Sequence, residues 1–308
     1  MTKPFVLPET AAVLAGLAEQ EGPHLADMSA ADMRATYLQL GALFDVPMEV
    51  DVRTRDFAHQ GCRLRAYFPA KAEAGPVILY MHGGGWVIGD LDTHDPVCSL
   101  IAAVTGLRVV AVDYRLAPEH PFPAAHDDCM AAAQFVSSSP PELEAPVAGL
   151  AVAGDSAGGN LALYVASEMK PGAVLAQLLI YPLVDCTSPK TGSYRDLAEG
   201  YILDRKLMDR FIHDYLPRDG DAAGKAASPL LHPLPADLPA TLIVTASLDP
   251  LRDQGRTLAG SIAAMGVETH LIEAKGLIHG MATMRASFPT ADRIIRRAAA
   301  LFGEMLTS

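Results

Sequence analysis

Two apolar patterns alternate along this chain. Pro76 to Met81, Arg108 to Val112, Leu150 to Ala153, Val174 to Tyr181, Thr241 to Ala246 and Val267 to Ile272 are short, nearly continuous apolar runs. That is the signature of strands buried on both faces. Between them, His94 to Thr105, Pro123 to Ser137, Ser156 to Met169, Leu251 to Met265 and Pro289 to Met305 carry helical patterns. Strands alternating with helices predict an α/β fold with a mostly parallel sheet and helices on both faces. A ligand is then expected at the carboxyl ends of the strands.

The flanking segments read differently. Val50 to Phe57 and Cys62 to Phe68 alternate apolar with charged residues around His59-Gln60-Gly61, which predicts an antiparallel hairpin exposed on one face. Pro8 to Glu21 and Ser29 to Leu43 have helical patterns; Met33, Tyr37 and Leu40 share a face, and Ser29 with Asp32 makes a capping-box pattern. These two helices fit either peripheral packing or part of a lid. From Asp185 to about Pro235 no strand is expected, only a loop and a helix over Asp204 to Leu216 with Leu207, Phe211 and Tyr215 on one face. A long insertion between strands of a compact domain is more often functional than idle, so a lid is the favoured reading.

A length of 308 residues suits one large domain, or one domain with a small appended piece. The formal net charge of −12 argues against nucleic acid and anionic membranes as partners, because phosphate surfaces repel it. Cys62, Cys98, Cys129 and Cys186 are scattered, with no C-x-x-C pair, so neither a zinc site nor a disulfide framework is indicated. Pro4, Pro8, Glu9 and Glu19 interrupt any leader-like apolar segment, and no apolar run approaches the roughly 18 residues of a membrane span. A cytoplasmic protein without metal or organic cofactor is the expectation.

The chemistry gathers around Gly154-Asp155-Ser156-Ala157-Gly158-Gly159, which lies between a strand and a helix. G-x-S-x-G in that setting predicts a sharp turn that lifts a serine hydroxyl over the sheet edge. A serine needs a base within hydrogen-bond reach before it attacks a carbonyl. His279, in Gly276-Leu277-Ile278-His279-Gly280-Met281, sits in a loop after the last expected strand and opens at the same edge. The imidazole in turn needs an acid, and Asp249 directly follows the strand Thr241 to Ala246. Asp253 is the alternative acid, but it lies a helical turn further on and is better placed to pair with an arginine. His82-Gly83-Gly84-Gly85-Trp86 follows the strand ending at Met81, so the N–H groups of Gly83, Gly84 and Ala157 are the expected oxyanion donors. Neither glycine stretch fits a dinucleotide fingerprint, because Ile88 stands where the third glycine would fall.

Taken with Asp113-Tyr114-Arg115-Leu116-Ala117-Pro118-Glu119-His120-Pro121-Phe122-Pro123-Ala124-Ala125, Asp249-Pro250-Leu251-Arg252-Asp253 and His279-Gly280, these motifs resemble the bacterial hormone-sensitive-lipase-like esterases, a branch of the α/β-hydrolase fold. The resemblance runs from roughly Pro76 to the C-terminus. It implies a catalytic triad of Ser156, Asp249 and His279, and a helical cap built from residues 1–48 and about 185–235 over an apolar acyl pocket. The catalytic domain would then be 49–308. It also implies a small-molecule ester substrate with a short to medium acyl chain, and permits a homodimer along a sheet edge. Asp113, Arg115 and Glu119 are expected to pair with one another or with nearby groups; His82 and Asp155 are expected to support the glycine loop. The same fold carries non-catalytic small-molecule receptors, and an amidase or acyltransferase uses the same triad. Receptors usually lose a triad member, whereas all three are present here.

Overall fold

The computed structural model describes residues 4–19, 22–71, 73–188, 192–216 and 222–307. Strands β1 (Val52–His59), β2 (Cys62–Pro69), β3 (Gly75–Met81), β4 (Arg108–Asp113), β5 (Val147–Asp155), β6 (Val174–Ile180), β7 (Ala240–Leu248) and β8 (Thr269–Ile278) form one sheet in the order β1-β2-β4-β3-β5-β6-β7-β8. The hairpin β1–β2 and the β2–β4 pair are antiparallel; the other pairs are parallel. Gln60 and Gly61 close the hairpin with φ of 51° and 84°, the two-residue turn whose twist matches that of the strands.

Helices α1 (Pro8–Ala18) and α2 (Ala30–Phe44) precede the sheet. Helices α3 (Leu91–Thr105), α4 (Ala124–Ser137), α5 (Ala157–Glu168), α6 (Gly192–Asp196), α7 (Arg205–Tyr215), α8 (Arg252–Ala264) and α9 (Pro289–Thr307) follow. Val77, Leu79 and Met81 of β3 point to one core with α4, α5 and α8, while Ile78 and Tyr80 point to a second core with α3 and α9. Burial on both faces is why β3 reads as an unbroken apolar run. No described helix is long and apolar enough to cross a membrane.

The pattern locates the buried strands well and misplaces the edge. β8 runs to Ile278, six residues beyond the apolar run, because Leu271, Glu273 and Lys275 alternate outward from the last strand of the sheet. His279 therefore follows a strand directly instead of lying within a loop. The helix expected over Pro8 to Glu21 ends at Ala18, and residues 20–21 lie outside the described residues. Within 185–235 a short helix, α6, stands where the pattern predicts loop, and residues 189–191 and 217–221 lie outside the described residues. Ser29 caps α2 by accepting from Asp32 N–H at 3.1 Å, but the Asp32 carboxylate accepts from the Ser29 hydroxyl at 2.7 Å instead of reaching back to the backbone.

Polar anchors tie α1 to β8 and α2 to the loops that follow β3 and β4. Thr10 Oγ1 donates to Gly276 O at 2.8 Å. Arg34 of α2 donates to Val87 O and Ala117 O, each at 2.9 Å, and pairs with Glu119. Asp113 pairs with Arg63 and Arg115 with Asp128, so the three charges of the Asp113 to Ala125 stretch bind neighbouring elements and not one another.

Candidate active site

After β3 the chain moves outward to β4 and then returns to β5 on the other side of β3. A crevice opens at the carboxyl ends of strands where the order reverses in this way. The glycine run at 83–85 leaves β3 on one side of it, and Ser156 leaves β5 on the other.

Ser156 has φ 55° and ψ −118°, a backbone conformation that L-residues rarely adopt. Its surroundings over-determine it. Its N–H donates to Ile180 O at 2.8 Å, and its carbonyl accepts from Gly159 N–H at 3.0 Å and Leu183 N–H at 3.1 Å. Strand and helix meet so closely here that a Cβ on Gly158 would collide with the Met81 carbonyl oxygen. The turn leaves the serine side chain pointing out over the sheet edge, at the N-terminus of α5, where free N–H groups favour an anion.

Three residues far apart in sequence meet at this edge. Ser156 Oγ lies 2.9 Å from His279 Nε2, and His279 Nδ1 lies 2.7 Å from Asp249 Oδ2. Asp249 is fully buried, and its other oxygen accepts from Leu251 N–H at 2.8 Å. The imidazole packs against Tyr181, ring centroids 4.5 Å apart. Asp253 pairs with Arg252 and Arg256 and accepts from Ser193 N–H at 2.8 Å, well occupied away from the imidazole. Ser156, His279 and Asp249 are thus brought together; Asp253 is not.

The glycine loop requires one correction. Gly83 N–H donates to Asp155 Oδ1 at 2.9 Å, so it is not free to hold an oxyanion. The same carboxylate accepts from Tyr80 OH at 2.9 Å and lies 3.2 Å from His94 Nε2. Burial pushes the Asp155 carboxyl up, but His94, the Tyr80 hydroxyl and His82 outweigh it and hold the pKa below its usual value. Gly84, Gly85 and Ala157 have N–H groups without a hydrogen-bond partner among the described residues. Gly84 and Gly85 also line the cleft beside Ser156, whereas Gly83 does not. The free donors are therefore Gly84, Gly85 and Ala157.

His82 supports this loop from below. It is buried, stacks on Tyr114 with centroids 4.1 Å apart, and its Nδ1–H donates to Gly83 O at 2.7 Å. Burial lowers its pKa to about 4, and that of the equally buried His126 on α4 to about 4 as well. Both rings are neutral in the fold, whereas the unfolded chain takes up protons from about pH 6.5 downward. Their stabilising contribution is complete above that pH and is lost as pH falls toward 4, by roughly 2 kcal/mol each at pH 5. Urea unfolding at pH 7 and pH 5 should therefore show a clear loss of stability, smaller in His126→Leu relative to its own value at pH 7. Equal losses in the two proteins would contradict the assignment.

The cleft above Ser156 encloses about 1080 Å³, its open mouth included. Its walls are apolar and come from α1 (Leu17), α2 (Leu40, Phe44) and α7 (Leu207, Met208, Phe211). Among the described residues, no group of three or more His, Cys, Asp or Glu side chains could hold a metal ion. A polar, activated hydroxyl at the foot of an apolar cavity is arranged for attack on a carbonyl whose substituents are hydrophobic.

A model of the alpha/beta hydrolase fold matches residues 78–283. Carboxylesterase NlhH of Mycobacterium tuberculosis is 37% identical over 270 residues, covering 84% of this chain and 84% of that protein. Ethyl acetate hydrolase of Pseudomonas putida is 35% identical over 238 residues, covering 74% of each. Among solved structures, a thermostable esterase from Pseudomonas putida superimposes with a TM-score of 0.92 at 31% identity, covering 99% of each chain.

Proposed function

The chain belongs to the alpha/beta hydrolase fold family, and from that premise we infer that it is a serine carboxylesterase in which Ser156 is the nucleophile, His279 the base and Asp249 the orienting acid. The hydrogen-bonded series Ser156–His279–Asp249 at the foot of an apolar cleft carries this reading. Ser156 Oγ attacks the ester carbonyl as its proton passes to His279 Nε2, and Asp249 stabilises the resulting imidazolium. The carbonyl oxygen becomes an oxyanion held by the N–H groups of Gly84, Gly85 and Ala157. When the C–O bond breaks, Nε2–H protonates the leaving alcohol. Water then attacks the acyl-serine, gives its proton to Nε2, and the carboxylic acid departs as Ser156 recovers its hydrogen. Every bond change is handled by these groups, so the reaction calls for no metal or organic cofactor.

Residues 1–48 and the insertion about 185–235 act as the cap over the acyl group, a role supported by Leu17, Leu40, Phe44 and Phe211 in the cleft wall. Short to medium acyl chains fit this apolar cavity, and a relative named for ethyl acetate supports the short end of that range. The four cysteines are free thiols, which supports a reducing, cytoplasmic setting. Leu271, exposed on the outermost strand β8, supports a homodimer along that edge.

Hydrolysis of p-nitrophenyl acetate, butyrate and hexanoate tests the function directly; a pure preparation inactive on all three would remove it. The same series tests the cap. Leu40→Trp, filling the α2 wall, should lower kcat/KM for the hexanoate roughly tenfold relative to the acetate, because each methylene in an apolar pocket is worth about 1–3 kcal/mol. An unchanged ratio would take α2 out of the acyl site.

A further inference from the structure

Helix α7 touches the glycine loop at two points that the reaction just described does not use. The ring of Phe211 lies so close to Gly85 that a Cβ on that glycine would collide with it. One turn further on, Tyr215 stacks on Trp86, with centroids 4.0 Å apart and planes 7° from parallel. Tyr215 is itself held in place: its hydroxyl lies 2.8 Å from His126 Nδ1, and its carbonyl accepts from Phe122 N–H at 3.0 Å. His126 packs edge-on against Tyr164 of α5, the helix that begins at the nucleophile, with centroids 4.5 Å apart.

Trp86 is fully buried with φ 60°, and its indole N–H has no partner among the described residues. With no hydrogen bond from the indole to any described residue, its orientation is set by packing, and the Tyr215 ring lies flat against it as one wall of that packing. The cleft-facing side of the same helix presents Leu207, Met208 and Phe211 to the acyl group. Helix α7 therefore contacts the space for substrate and the loop bearing two oxyanion donors.

We propose that Tyr215 is a positioning residue that transmits the seating of α7 to Gly84 and Gly85 through Trp86, so that what the acyl chain touches alters the rate of the chemical step. This rests on the ester-hydrolase reading above. Tyr215→Leu removes the stacked ring and should lower kcat by about tenfold or more, part of what loss of one oxyanion donor costs. KM should stay within about twofold, because ground-state contacts in the cleft are kept. Affinity for a trifluoromethyl ketone, which mimics the oxyanion, should fall by the same factor as kcat/KM. Tyr215→Phe keeps the ring and should restore most of the rate. A merely structural residue would lower the unfolding temperature without this split, and that result would overturn the proposal.

A second measurement needs no variant. Trp86 is the single tryptophan of the chain and so reports on the loop alone. Emission from the unmodified protein should differ between its methylphosphonate and hexylphosphonate adducts at Ser156, because the longer chain fills more of the cleft that Leu207, Met208 and Phe211 line. Identical emission from the two adducts would overturn the transmission while leaving ester hydrolysis untouched. Failure to form either adduct at Ser156 would instead remove the hydrolase reading itself.

Discussion

Ser156→Ala is expected to lower kcat on p-nitrophenyl butyrate by about 10⁶-fold, the scale on which loss of a triad nucleophile is felt elsewhere. The substitution removes one oxygen atom and one hydrogen bond, that to His279 Nε2. It leaves the turn intact, since the backbone bonds to Ile180, Gly159 and Leu183 involve only main-chain atoms of Ser156. The thermal unfolding midpoint should therefore stay close to that of the parent, and a phosphonate should no longer label the protein. The free N–H groups of Gly84, Gly85 and Ala157 remain, so a residual rate above that in water is expected from oxyanion binding alone. A variant that kept even a hundredth of the parent rate would show that another group performs the attack.

The parts of this site that were legible in the sequence are those set by local backbone chemistry. A serine between small residues, after an apolar run and before a helix, specifies its own turn. Asp249 and His279 were legible because each follows a strand and parallel strands share one carboxyl edge. The donors were less legible, because a run of three glycines does not say which N–H faces inward. That depends on Asp155, 72 residues from Gly83, whose carboxylate captures the first N–H and leaves the next two free. The end of β8 was obscured for another reason: an edge strand is half exposed, and Glu273 and Lys275 interrupt the apolar run that marks the buried strands. Partners of isolated charges were equally hidden. Arg34 reaches Glu119, and Arg115 reaches Asp128, through contacts that only the packed helices create. The stack of Tyr215 on Trp86 belongs to the same class: periodicity placed Tyr215 on the apolar face of α7 without showing what that face would meet.

Asp249→Asn should lower kcat by about 10⁴-fold, the cost of a wrong imidazole tautomer in a related constellation. The reason is geometric. Asp249 Oδ1 accepts from Leu251 N–H at 2.8 Å, and Oδ2 faces His279 Nδ1 at 2.7 Å. An asparagine at this position must keep its carbonyl oxygen toward Leu251, because turning the amide over would bring two N–H donors together in a fully buried site. Its NH₂ group then faces Nδ1, which can only accept. The imidazole proton moves to Nε2, where it points at Ser156 Oγ and cannot receive the serine proton. Shape is conserved and the protonation pattern is inverted, so KM and the unfolding midpoint should change little while kcat collapses. Asp253→Asn is the control: its carboxylate faces Arg252, Arg256 and Ser193, and activity should stay within about threefold of the parent. Proton NMR offers a second readout, since the resonance of a proton shared by Nδ1 and a carboxylate should be present in the parent and absent in Asp249→Asn. If instead Asp253→Asn loses the activity and Asp249→Asn keeps it, the imidazole takes its orientation from the other acid.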